Sequence, residues 1–320
     1  MHDDERALLR SSLRRLLVET ETAKLAPALD EFGWPDVLAA DPAEAVPALF
    51  ETQGETLISS PALNAVMARP LLGADADFAG VADWTVALPG PGSAPANVYA
   101  LTAGAPLERC LLVTGQDGRT VLGVVHAENT NPAVARPIEG IDPWVGLVAV
   151  NVPAEASIER RATGAAVSAA WEEAMAAGRR ALAHELIGVS RAMLALAADH
   201  ARERRQFGQP IGAFQAVKHR LAEAKVALTA AEAAAAEAWA DPGPLAALLA
   251  KLWAGRAARL TAKQAQQVLG GMGFTWEHPF HRHFRRALLL DALLGSTTEL
   301  QHQLGRSLLD TGDVPRLARL

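Results

Sequence analysis

The 320-residue chain predicts a mainly α protein with one small β domain in its middle. Three observations lead there. The second half is rich in Ala and Leu, and its apolar residues recur at spacings of three and four, the period of a helix with one buried face. Between about residues 80 and 160 the texture changes to short Val-rich runs bounded by Pro, Gly and Asp-Gly, the pattern of strands and turns. The first eighty residues carry helical spacing again. The expected division is an N-terminal helical domain over 1–80, a middle β domain over 81–160 and a four-helix bundle over 161–320.

Within the first part, Leu8, Leu9, Leu13, Leu16 and Leu17 form a stripe opposite Arg10, Arg14 and Arg15, which predicts a helix over 3–20. Asp3 and Asp4 suit its positive end. Gly33-Trp34-Pro35 breaks the chain. A second helix is predicted from Pro42 to Phe50, with Asp41 as N-cap and Pro42 in its first turn, and a third after Pro61. The β domain rests on Trp84–Leu88, Cys110–Val113, Val121–Val125 and Leu147–Val150, with Asp117-Gly118 in a hairpin turn. Pro89-Gly90-Pro91-Gly92-Ser93 lacks both the glycine spacing and the following helix of a phosphate loop and reads as an ordinary loop.

From Thr163 onward the pattern is helical. Leu182, Leu186, Val189, Met193 and Leu196 stripe a helix of about 35 residues by their 3.6-residue period. Phe214, Val217, Leu221, Ala224 and Leu228 stripe the next. Leu245, Leu248, Leu249, Leu252 and Leu260 follow Asp241-Pro242-Gly243-Pro244, and a fourth helical region runs from about Pro279 to Leu309.

Bulk properties exclude several functions. A net charge of −6 gives no basic field for nucleic acid. Cys110 is the single cysteine, so there is no disulfide or Cys-based metal site; it reads as a small buried hydrophobe. His281 and His283 fall on different sides of a helix, which argues against a metal, and with His278 they read as a polar subunit surface. No Gly-x-Ser-x-Gly elbow is present. The polar, acidic N-terminus and the absence of an apolar run near the roughly 20 residues of a membrane span predict a cytoplasmic chain without membrane attachment.

Two stretches stand out. Arg204-Arg205-Gln206-Phe207-Gly208-Gln209-Pro210 through Gln215 sits between two long helical patterns and reads as a tight turn joining antiparallel helices. Its basic end, aromatic ring and glutamines are unusual for a connector. Gln267-Val268-Leu269-Gly270-Gly271-Met272-Gly273-Phe274 places three glycines in four residues, so backbone can approach a ligand and offer N–H groups to an anion.

The first stretch resembles the Arg-x-x-Phe-Gly…Phe-Gln signature of the acyl-CoA dehydrogenase family, and the second its Gln-x-x-Gly-Gly-x-Gly-Phe signature. The resemblance is strong over 165–310, faint over 1–80 and mostly architectural between. It implies an acyl-CoA dehydrogenase-like fold and FAD as cofactor. In the family these two stretches reach across a subunit interface to hold the pyrophosphate and adenosine half of a partner's flavin. Carried over residue by residue, Arg204 bonds a phosphate, Gln206 and Phe207 complete the corner, and Gln267, Gly270 and Gly271 hold the pyrophosphate region. Gln215, Ser296, Thr297 and Thr298 follow by a weaker match.

The departures matter as much. Glu31–Trp34 through Ser60-Pro61 is similar to the family's N-terminal helical domain, but its Pro-Glu-x-x-Gly-Gly loop is missing, with Asp41-Pro42 where it would begin. Leu88–Ala94 stands where the family has Thr-Glu-Pro-x-x-Gly-Ser-Asp against the flavin ring, and the Trp-Ile-Thr strand is shortened beyond recognition. The family's catalytic Glu, which must reach the α-proton of an acyl-CoA, has two known positions; here they hold Leu294 and Gly178. Glu172, Glu173, Glu185, Glu277 and Glu299 read as helix-surface carboxylates. This pattern is similar to the short, base-lacking subunit of heteromeric α2β2 acyl-CoA dehydrogenases of bacterial steroid side-chain breakdown. It implies a full-length sister subunit that brings the base and most of the acyl-CoA contacts, and it implies α,β-desaturation of a CoA thioester. Two alternatives stay open: a self-sufficient homo-oligomeric flavoenzyme with a displaced base, and a structural paralogue without flavin.

Overall fold

The computed structural model describes residues 2–73, 84–90, 97–103, 107, 109–116, 119–126, 135–151 and 159–312. The chain opens with α1 (Asp3–Glu19), α2 (Leu25–Glu31), α3 (Trp34–Ala40), α4 (Pro42–Thr56) and α5 (Ala62–Leu72). Gly33 takes φ +79°, a left-handed turn that glycine adopts freely, and α3 begins directly after it. The first helix matches the expected span. The second runs six residues beyond the predicted Phe50 because Glu51, Thr52 and Gln53 are buried polar residues, which hide the apolar period. The short helices α2 and α3 escaped the sequence reading for lack of length.

Among the described residues eight strands follow in two sheets of four: β1 (Thr85–Val86), β4 (Arg109–Gln116), β5 (Arg119–His126) and β8 (Glu159–Thr163) in that order, and β2 (Leu88–Pro89), β3 (Asn97–Leu101), β7 (Leu147–Asn151) and β6 (Ala135–Pro137). The predicted strand Trp84–Leu88 is thus divided between two sheets. Alternation along β4 shows why both faces are apolar. Cys110 and Leu112 pack with Val98, Ala100 and Val150 from the other sheet, while Leu111 and Val113 face the helical core. The pairing of Gln116 with Arg119 closes the β4–β5 hairpin; Asp117-Gly118 and Pro91–Ser93 lie outside the described residues.

The helical second half contains α6 (Ala165–Glu203), α7 (Gln215–Ala240), α8 (Pro244–Leu269), α9 (Phe280–Ala292) and α10 (Thr297–Thr311). The single fourth helix expected over Pro279–Leu309 is two helices, because Leu294 and Gly295 take φ +56° and +102° and turn the chain. Contrary to the sequence reading, α6 is long and apolar enough to cross a membrane by length and composition. It is the central strut of the molecule, buried at every position from Ala181 to Ser190.

Close crossing of α4 and α6 depends on two glycines. A Cβ on Gly54 would stand 2.2 Å from the Glu185 carbonyl oxygen, and one on Gly188 would stand 2.1 Å from that of Glu51. Beside this crossing, Glu51 accepts from His184 Nδ1 at 2.9 Å and from Arg191 at 2.5 Å, and pairs with Arg10 at 2.6 Å. The Trp239 indole donates to His184 Nε2 at 3.0 Å, which leaves Nδ1 as the protonated nitrogen facing Glu51. A second buried cluster joins three parts of the chain: Arg286 of α9 donates to Asp142, to Glu185 of α6 and to the Leu57 carbonyl.

Candidate cofactor-binding site

At the end of α6 the chain leaves the helix at Arg204 and forms a two-stranded ribbon, β9 (Arg205–Gln206) against β10 (Gln209–Pro210). The connecting residues Phe207 and Gly208 have φ +50° and +81°, the two positive values of a type I′ hairpin turn. Gly208 suits this geometry; a Phe there costs about 1 kcal/mol. The Phe207 ring is nevertheless 92% exposed, set edge-on to Phe214 with ring centroids 6.1 Å apart. The two arginines divide their work. Arg205 closes the turn by donating to the Gly208 carbonyl at 3.1 Å. Arg204 is exposed, and among the described residues its guanidinium has no hydrogen-bond or ion-pair partner. Gln206 donates to the Arg205 carbonyl, and Gln215 is exposed at the start of α7.

The glycine stretch ends α8. Gly270 takes φ +61°, and Gly270–Phe274 forms a 3-10 turn. A Cβ on Gly270 or Gly271 would meet nothing within 4 Å, whereas one on Gly273 would strike the Gln266 side chain at 2.7 Å. The first two glycines therefore keep backbone open to the outside and the last serves packing. Gln266 is tied to the Gly270 carbonyl at 3.0 Å; Gln267 points out, exposed and without a partner among the described residues.

Helix pairing brings these two stretches to the same end of the bundle. Arg191 of α6 meets Glu232 of α7, and Arg220 of α7 meets Gln264 of α8, so α6 and α8 both run antiparallel to α7 and end together. His200 and His278 lie close enough to interact there. Burial first, then His278 and Arg204, lower the pKa of His200; burial first, then His281, lowers that of His278. Among the described residues this end offers one unpaired guanidinium, one unpaired amide and open glycine backbone. That donor set fits a pyrophosphate.

Ser296 and Thr298 are elsewhere. They belong to the α9–α10 corner, which is tied to Lys251 near the other end of α8. Nineteen residues separate Lys251 from Gly270, roughly 28 Å at the rise of an α-helix. Arg204 and Ser296 of one chain therefore cannot grip the same phosphates. Ser296 is moreover the N-cap of α10, sharing a capping box with Glu299, and Thr297 donates to Asp291.

The two expected base positions do converge. A Cβ on Gly178 would stand 2.6 Å from Leu294 Cδ1 and 2.8 Å from Met67 Sδ. Leu294 is 1% exposed, so apolar side chains fill the place where a carboxylate would work. Glu172, Glu173 and Glu277 are exposed and Glu299 is spent in the capping box. Glu185, expected on the surface, is instead buried; burial raises its pKa, against Arg286. His283, expected on a polar surface, is also buried, with Nε2 3.3 Å from the Glu55 carbonyl. The sequence signal for both lay in their register: each falls on the apolar stripe of its helix.

The profile of the acyl-CoA dehydrogenase C-terminal domain matches residues 168–309. Acyl-CoA dehydrogenase IpdE2 of Mycobacterium tuberculosis is 42% identical over 123 residues, 38% of this chain and 39% of that protein; the match spans well under half of this relative. Among solved structures, a Tcur3481–Tcur3483 steroid ACAD variant superposes with a TM-score of 0.78 at 22% identity, over 97% of this chain and 99% of that one. The ChsE4–ChsE5 complex from Mycobacterium tuberculosis gives 0.71 at 20% identity over 99% of both chains. Residues 168–309 thus match an acyl-CoA dehydrogenase C-terminal domain, and the chain as a whole has the acyl-CoA dehydrogenase fold.

Proposed function

We propose that this chain is the base-lacking subunit of a heteromeric, FAD-dependent acyl-CoA dehydrogenase. It completes the cofactor site of a full-length sister subunit in an α2β2 assembly. The observation that carries this reading is the contrast between the two ends of the bundle. The phosphate-facing end keeps a free guanidinium and open glycines, while both base positions are filled by Leu294 and Met67 packed over Gly178. Arg204 bonds the pyrophosphate, Gln267 and the Gly270–Gly271 backbone orient it, and Gln206, Phe207 and Gln215 border it. FAD, when bound, accepts the hydride from the β-carbon. The sister chain supplies the Glu that takes the α-proton, and with it most of the acyl-CoA contacts.

The substrate class we infer is a bulky acyl-CoA, a steroid side-chain thioester, in keeping with the steroid ACAD among the structural neighbours. The three units 1–80, 81–160 and 161–320, and a cytoplasmic location, belong to the same proposal. Co-expression with a full-length dehydrogenase chain encoded beside it tests the reading. A complex of both chains that is yellow, with no flavin on this chain alone, is expected. A yellow, active homo-oligomer of this chain alone would overturn it.

A further inference from the structure

Lys251 is fully buried, at 0% exposure, and neither the fold's family nor the proposed function assigns it a task. It shares one face of α8 with Gly255 and Arg259, each a turn apart, and all three engage the α9–α10 corner. Lys251 Nζ donates to the carbonyls of Asp291 at 3.1 Å and Gly295 at 3.2 Å. Arg259 donates to Asp291 Oδ2 at 3.0 and 2.5 Å. Gly255 makes room, since a Cβ there would fall 2.4 Å from Asp291 Oδ1 and 2.2 Å from Thr297 Oγ1. Asp291 Oδ1 accepts from the backbone N–H of Thr297 at 3.2 Å, and Arg179 of α6 donates to the Leu294 carbonyl at 3.1 Å. Lys251 thus satisfies the end of α9 and Asp291 the start of α10. Beyond the corner, the buried residues of α10 among those described are Thr297 and Leu300; Leu300 packs on Leu248 and Leu252 with Leu304 beside them, and Gln303 accepts from Arg179 at 3.4 Å.

We propose that Lys251 is a proton-sensitive latch on α10: its buried amine fastens the corner to α8, and the latch holds more tightly when the amine is neutral. Four charged groups face it: Asp291 from α9, Glu299 from α10, Arg179 from α6 and Arg259 from its own helix. Two attract the ammonium and two repel it, so they do little to offset its burial. Burial is the largest influence and brings the group down to about 8 from 10.5. An opened corner exposes the lysine to water and restores the ordinary value. The open form then binds the proton more tightly than the closed one, so closure gains as pH rises from about 8 toward 10.5. Linkage between those two values lowers the open-to-closed ratio by roughly 25-fold between pH 7 and 9.5.

Amide hydrogen exchange of residues 293–310, expressed as protection over the intrinsic peptide rate at each pH, reads this directly. It uses the full chain without flavin or partner, so its outcome is independent of the functional reading. Protection of this segment is expected to rise by roughly tenfold or more from pH 7 to 9.5, with α7 unchanged, and Lys251→Met is expected to abolish the rise. A flat or falling wild-type profile overturns the latch, as does an equal rise in Lys251→Met. Should the variant not fold, the wild-type profile decides alone.

Discussion

Replacing Arg204 by Ala removes a guanidinium that makes no hydrogen bond or ion pair among the described residues. The residue is also exposed, so the unfolding free energy is expected to change by no more than about 0.5 kcal/mol. Its expected loss lies entirely in cofactor binding. A hydrogen bond to a charged group contributes about 1.5–3 kcal/mol, and each 1.4 kcal/mol is about tenfold in affinity. Loss of the phosphate contact should therefore weaken FAD binding by the two-chain complex by roughly 10- to 150-fold. Arg204→Lys keeps the charge but not the planar fork and should fall between. Arg205→Ala is the control. Arg205 is spent on the Gly208 carbonyl, so its loss acts through the turn and should cost less than the loss of Arg204. The assay is titration of the deflavinated complex with FAD, followed by flavin fluorescence, with thermal unfolding measured in parallel. An unchanged FAD Kd in a normally folded Arg204→Ala complex would refute the assignment of this residue.

Two further predictions concern the frame behind the site. Gly188→Ala gains about 1 kcal/mol of helix propensity but drives a methyl group to 2.1 Å from the Glu51 carbonyl oxygen. Because the methyl would strike backbone and not a flexible side chain, net destabilisation of about 2 kcal/mol or more is expected from overpacking, read as a lower urea midpoint; an unchanged midpoint means that α4 and α6 do not cross so closely. Burial alone would raise the pKa of Glu51, but His184, Arg191 and Arg10 hold it down to about 2 from 4.5. Its folded value is depressed, so its contribution is present above pH 4.5 and is lost as pH falls from 4.5 toward 2, about 3 kcal/mol in all. Glu51→Gln should flatten that part of the stability–pH curve, and a variant with the wild-type slope would show that the loss arises elsewhere.

The elements with simple periodicity were legible before any coordinates. The stripes Leu182–Met193 and Leu248–Leu252 mark buried helix faces, and Arg204–Gln215 and Gln267–Gly273 are indeed turns at helix ends. Several of the misreadings share one cause: polar residues that are buried because they have partners distant in sequence. Glu51 lies just past the predicted end of α4 at Phe50, and its partners His184, Arg191 and Arg10 are all distant in sequence. Glu185 looks solvated until Arg286, 101 residues later, is brought against it. Such pairs leave no local period, although a carboxylate in register with Leu182, Leu186 and Val189 was a clue. The break at Leu294 was hidden for another reason. A leucine at φ +56° is held there by Arg179 and Lys251 from other helices, not by its own preference.

The separation of the two ends is the fact that most constrains function. Family members place catalytic carboxylate and phosphate-gripping residues in one chain but, at roughly 28 Å along α8, those residues must address different parts of the assembly. Here the corner end is packed, with Leu294 and Met67 over Gly178 and the Lys251, Arg179 and Asp291 side chains tying down its backbone. The other end is open. It leaves a Phe ring in water on a backbone conformation that Phe disfavours, with an arginine, a glutamine and two bare glycines beside it. Exposing that ring forgoes burial worth about 2 kcal/mol, and the strained turn costs about 1 kcal/mol more. A surface of this composition is costly in an isolated chain and is rational when a second chain and its phosphates cover it.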